Sequence, residues 1–291
     1  SVLGVIPYFH LDIEDEDSLT ERFRKKSRSG LAKIAVIRLP RISNFTDIAP
    51  LEAVDELDVS YVSNISQFGD PDVVIIPGSK NTISDLLWMR QNGLEGKILR
   101  HAAKGGIVFG ICGGYQMLGQ SISDPTGAEQ KGTVRGMGLL PVTTVFEQEK
   151  RRTRVSGRFA KVGGALAEMS GVCYEGYEIH MGRTVLSKGT VPLVYMEEEG
   201  EQRQDGAQSD HVYGCYMHGI FDMSETVKTF LAAVLRKKGI DPSKITVRDR
   251  NAYKEEQYDR LASIVRENLN MEAVYKIIEK GNEASCSLLS E

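Results

Sequence analysis

The stretch Gly106-Ile107-Val108-Phe109-Gly110-Ile111-Cys112-Gly113-Gly114-Tyr115-Gln116-Met117-Leu118 decides the fold. Its first part is a short apolar, partly β-branched run, the pattern of a strand buried on both faces. Tyr115-Gln116-Met117-Leu118 opens a helical pattern that ends near Gly119. A strand running straight into a helix leaves the corner residue in a strained conformation that only small neighbours tolerate. Gly110, Gly113 and Gly114 supply that room around Cys112. At such a corner the sulfur faces a cleft, the start of the helix favours thiolate over thiol, and free backbone amides can hold a developing oxyanion. The competing reading is that Cys112 is a small buried hydrophobe, as most free cysteines are.

Working outward, Lys33-Ile34-Ala35-Val36-Ile37-Arg38-Leu39 reads as a strand, residues 50–56 as a helix, and further strands lie near residues 59–62 and at Val73-Val74-Ile75-Ile76. This alternation predicts an α/β fold with a doubly wound, mostly parallel sheet flanked by helices. The third strand ends in Pro77-Gly78-Ser79-Lys80-Asn81-Thr82, where Asn81 or Thr82 caps a helix running to Gln91. Binding sites collect at the carboxyl edge of such sheets, so Gly78 and Ser79 can face Cys112 across the cleft; the alternative is a plain βα loop. Residues 121–175 suggest hairpins or an edge extension of the sheet. Tyr177-Glu178-Ile179-His180 and Tyr213-Gly214-Cys215-Tyr216-Met217-His218 read as two more strands, and the charged residues 197–204 between them as a solvated loop. Residues 227–238 and 258–278 carry helical periodicity, and 279–291 read as a frayed polar tail.

The 291 residues carry a formal net charge of -4 with basic and acidic side chains interspersed, which gives no field for nucleic acid, and no nucleic-acid partner is expected. Cysteines 112, 173, 215 and 286 show no C-x-x-C spacing, and no apolar run approaches the roughly 20 residues of a membrane helix. No basic-then-apolar leader opens the chain. These features predict free thiols, a cytoplasmic setting and no membrane partner. No G-x-x-x-x-G-K-[ST] loop and no zinc-type ligand spacing occur, so neither ATP nor a metal is expected in this chain. Val2-Leu3-Gly4-Val5-Ile6-Pro7 reads as a core strand with no partner before it, the continuation of something longer.

A thiol nucleophile needs a general base, and histidine suits that role at neutral pH. Of the five histidines, His10 lies in the N-terminal piece, His101 in a charged helix where a surface position is expected, and His211 in a polar loop. His180 and His218 each close a predicted strand and precede a glycine within two residues. His218 is the better base, because it is the last residue before a loop. For His180 a structural role near the cleft stands equally open. Glu178 shares a strand face with His180.

With Gly110-Ile111-Cys112-Gly113-Gly114-Tyr115-Gln116 and a late His218, the chain resembles class I, or triad-type, glutamine amidotransferases with a flavodoxin-like core. Leu39-Pro40-Arg41-Ile42-Ser43-Asn44-Phe45-Thr46-Asp47, residues 77–82, Gly176-Tyr177-Glu178-Ile179-His180-Met181-Gly182-Arg183-Thr184 and His218-Gly219-Ile220-Phe221-Asp222 together resemble the cobyric acid synthase family of cobalamin biosynthesis. The resemblance implies an amidotransferase domain over residues 30–240, a remnant of an ATP-binding synthetase domain with its linker over 1–29, and a helical extension over 241–291. ATP and Mg²⁺ are then expected in the synthetase domain rather than here. It further implies that Cys112 attacks the glutamine side-chain amide, that His218 activates it and protonates departing ammonia, and that the Gly113 amide and one from Gly78-Ser79 hold the oxyanion. Gln116 would shape the glutamine pocket, and metal ligands are implied nowhere. The implied partners are glutamine and, through the synthetase domain, a corrinoid, adenosylcobyrinic acid a,c-diamide; a homo-oligomer is left open. Ile220 stands where many such enzymes carry a glutamate two residues after the histidine. The expectation is therefore a Cys-His dyad, with orientation of His218 by Glu178 or Asp222 as the alternative. Cobyrinic acid a,c-diamide synthase, a cell-wall precursor amidotransferase subunit and a non-catalytic docking module are the competing readings.

Overall fold

A computed structural model describes residues 2–9, 11, 30–198, 201–244 and 250–287. The described residues fall into two compact units, one from within 1–19 and 249–291, the other from within 20–248. In the larger unit the chain runs through β1 (Ala32–Ile37), β2 (Ile42–Ser43), a 3₁₀ turn at Phe45–Ile48, α1 (Ala49–Glu52), β3 (Leu57–Val62), β4 (Val73–Ile76) and β5 (Gly78–Ser79). Then come α2 (Thr82–Gln91), α3 (Leu94–Ala103), β6 (Ile107–Ile111) and α4 (Gly113–Leu118). The second half adds β7 (Ser121–Asp124), β8 (Gly132–Arg135), β9 (Val142–Phe159), β10 (Cys173–Leu186), β11 (Val194–Glu198), β12 (Glu201–Asp205), β13 (Ala207–Ser209), β14 (Val212–Cys215) and α5 (Ser224–Lys237).

The main sheet has the order β13-β14-β6-β4-β1-β3. Its strands pair in parallel from β14 to β3, and β13 alone is antiparallel. The apolar runs explain this choice: β4 and β6 are buried at every position, as strands covered on both faces must be. The Asn81 side chain accepts from the Ser84 amide at 3.0 Å and starts α2 where the sequence places a cap. The region expected to form hairpins or an edge extension is a separate second sheet, β12-β11-β9-β7-β8 with β10 paired to β9. Only β7 and β9 pair in parallel there.

Two expectations are corrected. The charged stretch 197–204 contributes the ends of β11 and β12, antiparallel strands of that second sheet rather than a solvated loop. Tyr177 to His180 lie within the fourteen-residue β10 and do not close a strand.

In the smaller unit, α6 (Arg250–Asn268) and α7 (Met271–Ser287) are joined to the first residues by a bridge between Gly4 and Leu269 and by the Asn270 amide donating to Leu3 O at 2.8 Å. Val2 and Val5 are 85% and 77% exposed, and within residues 2–7 the only pairing described is that bridge at Gly4. Residues 12–29 of the expected remnant and linker lie outside the described residues, as does His10. Among the described residues no helix is long and apolar enough to cross a membrane.

Candidate active site

Four neighbouring strands of the main sheet, β14, β6, β4 and β1, deliver the site from their carboxyl ends. His218 follows β14, Cys112 follows β6, Gly78 and Ser79 follow β4, and Asp47 lies in the segment after β1. Residues spread from 47 to 218 in sequence thus share one edge beside the strand-order reversal around β1, where α/β sheets bind ligands.

Cys112 occupies the corner between β6 and α4 with φ 50° and ψ -108°, a conformation L-residues rarely adopt. The corner closes because Gly114 has no side chain: a Cβ there would lie 2.0 Å from Ile76 O. Gly114→Ala is therefore expected to cost about 3 kcal/mol or more, read as a fall in the thermal midpoint; an unchanged midpoint would contradict this packing. Cys112 is 7% exposed, and its Sγ lies 3.7 Å from Ile179 O.

His218 is 1% exposed and is held from three sides. Its Nδ1 donates to Asp47 Oδ2 at 2.7 Å, and the next amide, Gly219 N, donates to Asp47 Oδ1 at 2.8 Å. Its backbone exchanges two hydrogen bonds with Tyr177, 3.0 and 2.9 Å long, and the Tyr177 ring stacks on the imidazole at 5.3 Å between centroids. With Nδ1 committed to a carboxylate, Nε2 is the nitrogen left for other work. Burial disfavours the imidazolium, but hydrogen bonds to Asp47 and to Cys112, together with their negative charges, outweigh it and push His218 up to about 10.

Asp47 is the residue the sequence reading missed. It occupies the place for which a dyad, Glu178 or Asp222 was expected. The Asp222 amide closes a turn, donating to Gly219 O at 2.8 Å. Glu178 has a fully buried side chain whose Oε2 receives Arg151 Nε at 3.1 Å and Arg203, while Oε1 lies 3.7 Å from His180 Nε2. Burial raises the Glu178 carboxyl, but its contacts with His180 and Arg203 outweigh this and leave it below the ordinary glutamate range. Ile220, at the position of the expected glutamate, is wholly buried.

Gly78 and Ser79 do face the corner. A Cβ on Gly78 would lie 3.1 Å from His218 Cε1, and one on Gly113 would lie 2.9 Å from Ser79 N. The Ser79 hydroxyl turns away and donates to Asp85 Oδ2 at 2.7 Å, so the backbone is what Ser79 presents. The Gly113 amide opens α4 and has no acceptor within the helix.

Gln116 is buried and spends both amide hydrogens on the protein, donating to Met181 O at 3.1 Å and to Tyr216 Oη at 3.0 Å. Its Oε1 accepts from Thr82 Oγ1 at 3.2 Å. It ties α4 to β10 and braces the pocket wall. His180 stacks on Tyr216 with centroids 3.6 Å apart, and its Nδ1 donates to Gly182 O at 3.1 Å. His101 is half-buried, with Nε2 hydrogen-bonded to Ile107 O at 3.0 Å. Among the described residues no group of three His, Cys, Asp or Glu side chains is arranged to hold a metal.

Residues 33–226 match the family described as the CobB/CobQ-like glutamine amidotransferase domain. The chain is 54% identical over 286 residues to a cobyric acid synthase of Ruminiclostridium cellulolyticum, covering 97% of this chain and 56% of that protein. It is 44% identical over 289 residues to a cobyric acid synthase of Lachnoclostridium phytofermentans, covering 96% and 56%. The chain thus spans about half the length of the curated relatives it matches. Among solved structures, PurLQS from Thermotoga maritima aligns with a TM-score of 0.53 at 18% identity over 71% of this chain and 99% of that chain. A structure titled glutamine amidotransferase aligns with a TM-score of 0.50 at 16% identity, covering 71% and 99%. At those identities the likeness shows the fold alone, that of the class I glutamine amidotransferases. The chain belongs to the CobB/CobQ-like glutamine amidotransferase domain family.

Proposed function

We propose that this chain hydrolyses glutamine through a γ-glutamyl thioester on Cys112 and supplies the ammonia for amidation of corrinoid side-chain carboxylates. The reaction served would be the conversion of adenosylcobyrinic acid a,c-diamide to adenosylcobyric acid. The observation that carries the glutaminase reading is His218, its Nδ1 held by Asp47 at 2.7 Å, at the same carboxyl edge of the sheet as the Cys112 corner. In the proposed reaction Nε2 of His218 takes the Cys112 proton, and Asp47 on Nδ1 favours the imidazolium that results. The thiolate attacks the amide carbon of glutamine. The oxyanion is met by the Gly113 amide and one from the Gly78-Ser79 turn, and the imidazolium protonates the departing nitrogen as ammonia. Water then attacks the thioester, giving its proton to His218, and glutamate leaves with the thiolate restored. The corrinoid and the ATP- and Mg²⁺-dependent activation of its carboxylates are assigned to the part of the cobyric acid synthase relatives that this chain does not span. The names of those relatives support the corrinoid as the substrate served.

Two measurements test the reading. An electrophilic glutamine analogue should add to Cys112, located by mass spectrometry, and excess glutamine should protect it. Labelling elsewhere, with Cys112 untouched, would sink the nucleophile assignment. The intact relative-length protein, given glutamine, ATP, Mg²⁺ and the a,c-diamide, should form cobyric acid, and a Cys112→Ala version should do so only from free ammonia.

The Asp47 pairing sets a pH dependence. A histidine raised from its ordinary 6.5 to about 10 stabilises the fold fully below about pH 6.5, and that contribution is lost as pH climbs through 10. The same proton is needed to release ammonia, so the alkaline limb of turnover should follow His218. Asp47→Asn removes the stabilising charge and should move that limb to lower pH while slowing turnover roughly 10²-fold. An alkaline limb that stays in place would show that Asp47 does not control His218.

A further inference from the structure

Strand β10 touches three groups of the site through its backbone. Tyr177 exchanges two hydrogen bonds with His218, Ile179 O lies 3.7 Å from Cys112 Sγ, and Met181 O accepts from Gln116. These three are alternate residues, so Glu178 and His180 between them project to the opposite face. On that face β10 is anchored by a carboxylate. Glu178 accepts from Arg151 of β9 and from Arg203 of β12, and Arg203 Nε lies 3.4 Å from Glu198 of β11. The same β12 grips the site a second time: Asp205 Oδ2 accepts from Tyr216 N at 2.8 Å, and the Tyr216 hydroxyl receives Gln116. Arg151 and Arg203 are 40% and 31% exposed, whereas Glu178 is fully buried.

We infer that Glu178 is a positioning residue for the reaction at Cys112: held by Arg203, it fixes residues 177–181 in the register that presents them to His218, Cys112 and Gln116. The inference rests on the reading of Cys112 as nucleophile. A buried carboxylate that loses its guanidinium partner is left uncompensated, and the strand carrying it must shift toward water or toward another donor. The backbone that shifts is the one bonded to the base. A displacement of about 1 Å at such a point costs up to roughly 10²-fold in rate, although no substrate atom is touched.

The arrangement separates this role from mere structural support. Arg203→Gln, on the partly exposed side, should leave a folded protein in which kcat for glutamine falls about 10- to 100-fold while KM changes less than about threefold. Arg203→Lys keeps the charge and should recover most of the loss. Glu178→Gln should reproduce the Arg203→Gln defect. As a second readout, the pH profile for alkylation of Cys112 by iodoacetamide should move to higher pH in both, because a displaced His218 no longer supports the thiolate. Folded Arg203→Gln and Glu178→Gln proteins with wild-type kcat and alkylation profiles would overturn the inference. So would a rate loss that only tracks the folded fraction measured by circular dichroism. If the wild-type intact protein releases no glutamate, the functional reading fails, and the alkylation profiles still decide the role of Glu178.

Discussion

Cys112→Gly is expected to abolish glutamine hydrolysis, by roughly 10⁴-fold or more, and at the same time to make the protein more stable. The two effects share one cause. At φ 50° and ψ -108° the corner is strained for any residue with a Cβ, and glycine meets no such penalty. Strain of this kind costs about 1–3 kcal/mol. Set against the loss of a small buried side chain, the net gain should be about 1 kcal/mol, or about 2–4 °C in the thermal midpoint for a chain of this size. Cys112→Ala separates the two effects, because it removes the sulfur and keeps the Cβ: equally inactive, without the gain. Calorimetry of the three proteins beside a glutamate-release assay checks this. Glycine less stable than alanine would show that the corner stores no strain, and residual turnover above background in either variant would remove Cys112 from the chemistry.

His218→Asn should be nearly as damaging, slowing turnover by about 10³- to 10⁴-fold. The asparagine amide can still donate to Asp47 Oδ2, where Nδ1 now binds at 2.7 Å, so the loop after β14 keeps its anchor. What disappears is a group that carries a proton between sulfur, nitrogen and water. Alkylation of Cys112 near neutral pH should slow in the same variant, because the thiolate loses its counter-charge. His180→Asn should cost less than about tenfold, since the His180 ring packs on Tyr216 and reaches Glu178 rather than Cys112. If His180→Asn slows alkylation and His218→Asn does not, the roles of the two histidines are reversed.

The parts of the site legible in the sequence were those with a local signature. The corner at Cys112 announces itself because a buried strand, three glycines and a helix start lie within a dozen residues. His218 was legible as the last polar residue of an apolar strand. Asp47 carried no such mark. It lies 171 residues from its partner and meets it because β1 and β14 belong to one sheet, a relation that periodicity does not record. The segment 39–47 stood out as a motif, but nothing within it names a partner for its aspartate. Arg203 was hidden for a different reason. Its neighbours, Gln202 and Gln204 with Glu201 and Asp205 beyond them, are all polar, and strand preference in such a sequence comes from pairing with β11 rather than from alternation of apolar residues.

The order of strands in the main sheet also bears on when the protein becomes reactive during its own synthesis. Cys112 emerges from the ribosome more than a hundred residues ahead of His218, and its sulfur is then an ordinary thiol. Asp47 and His218 must be brought together across 171 residues, among the most distant pairings in the chain and so among the slowest to form. The pair between Asp47 and His218 is therefore completed only when β14 docks beside β6. On the proposed role of His218, a chain that has not yet seated β14 carries its cysteine without the base that would activate it.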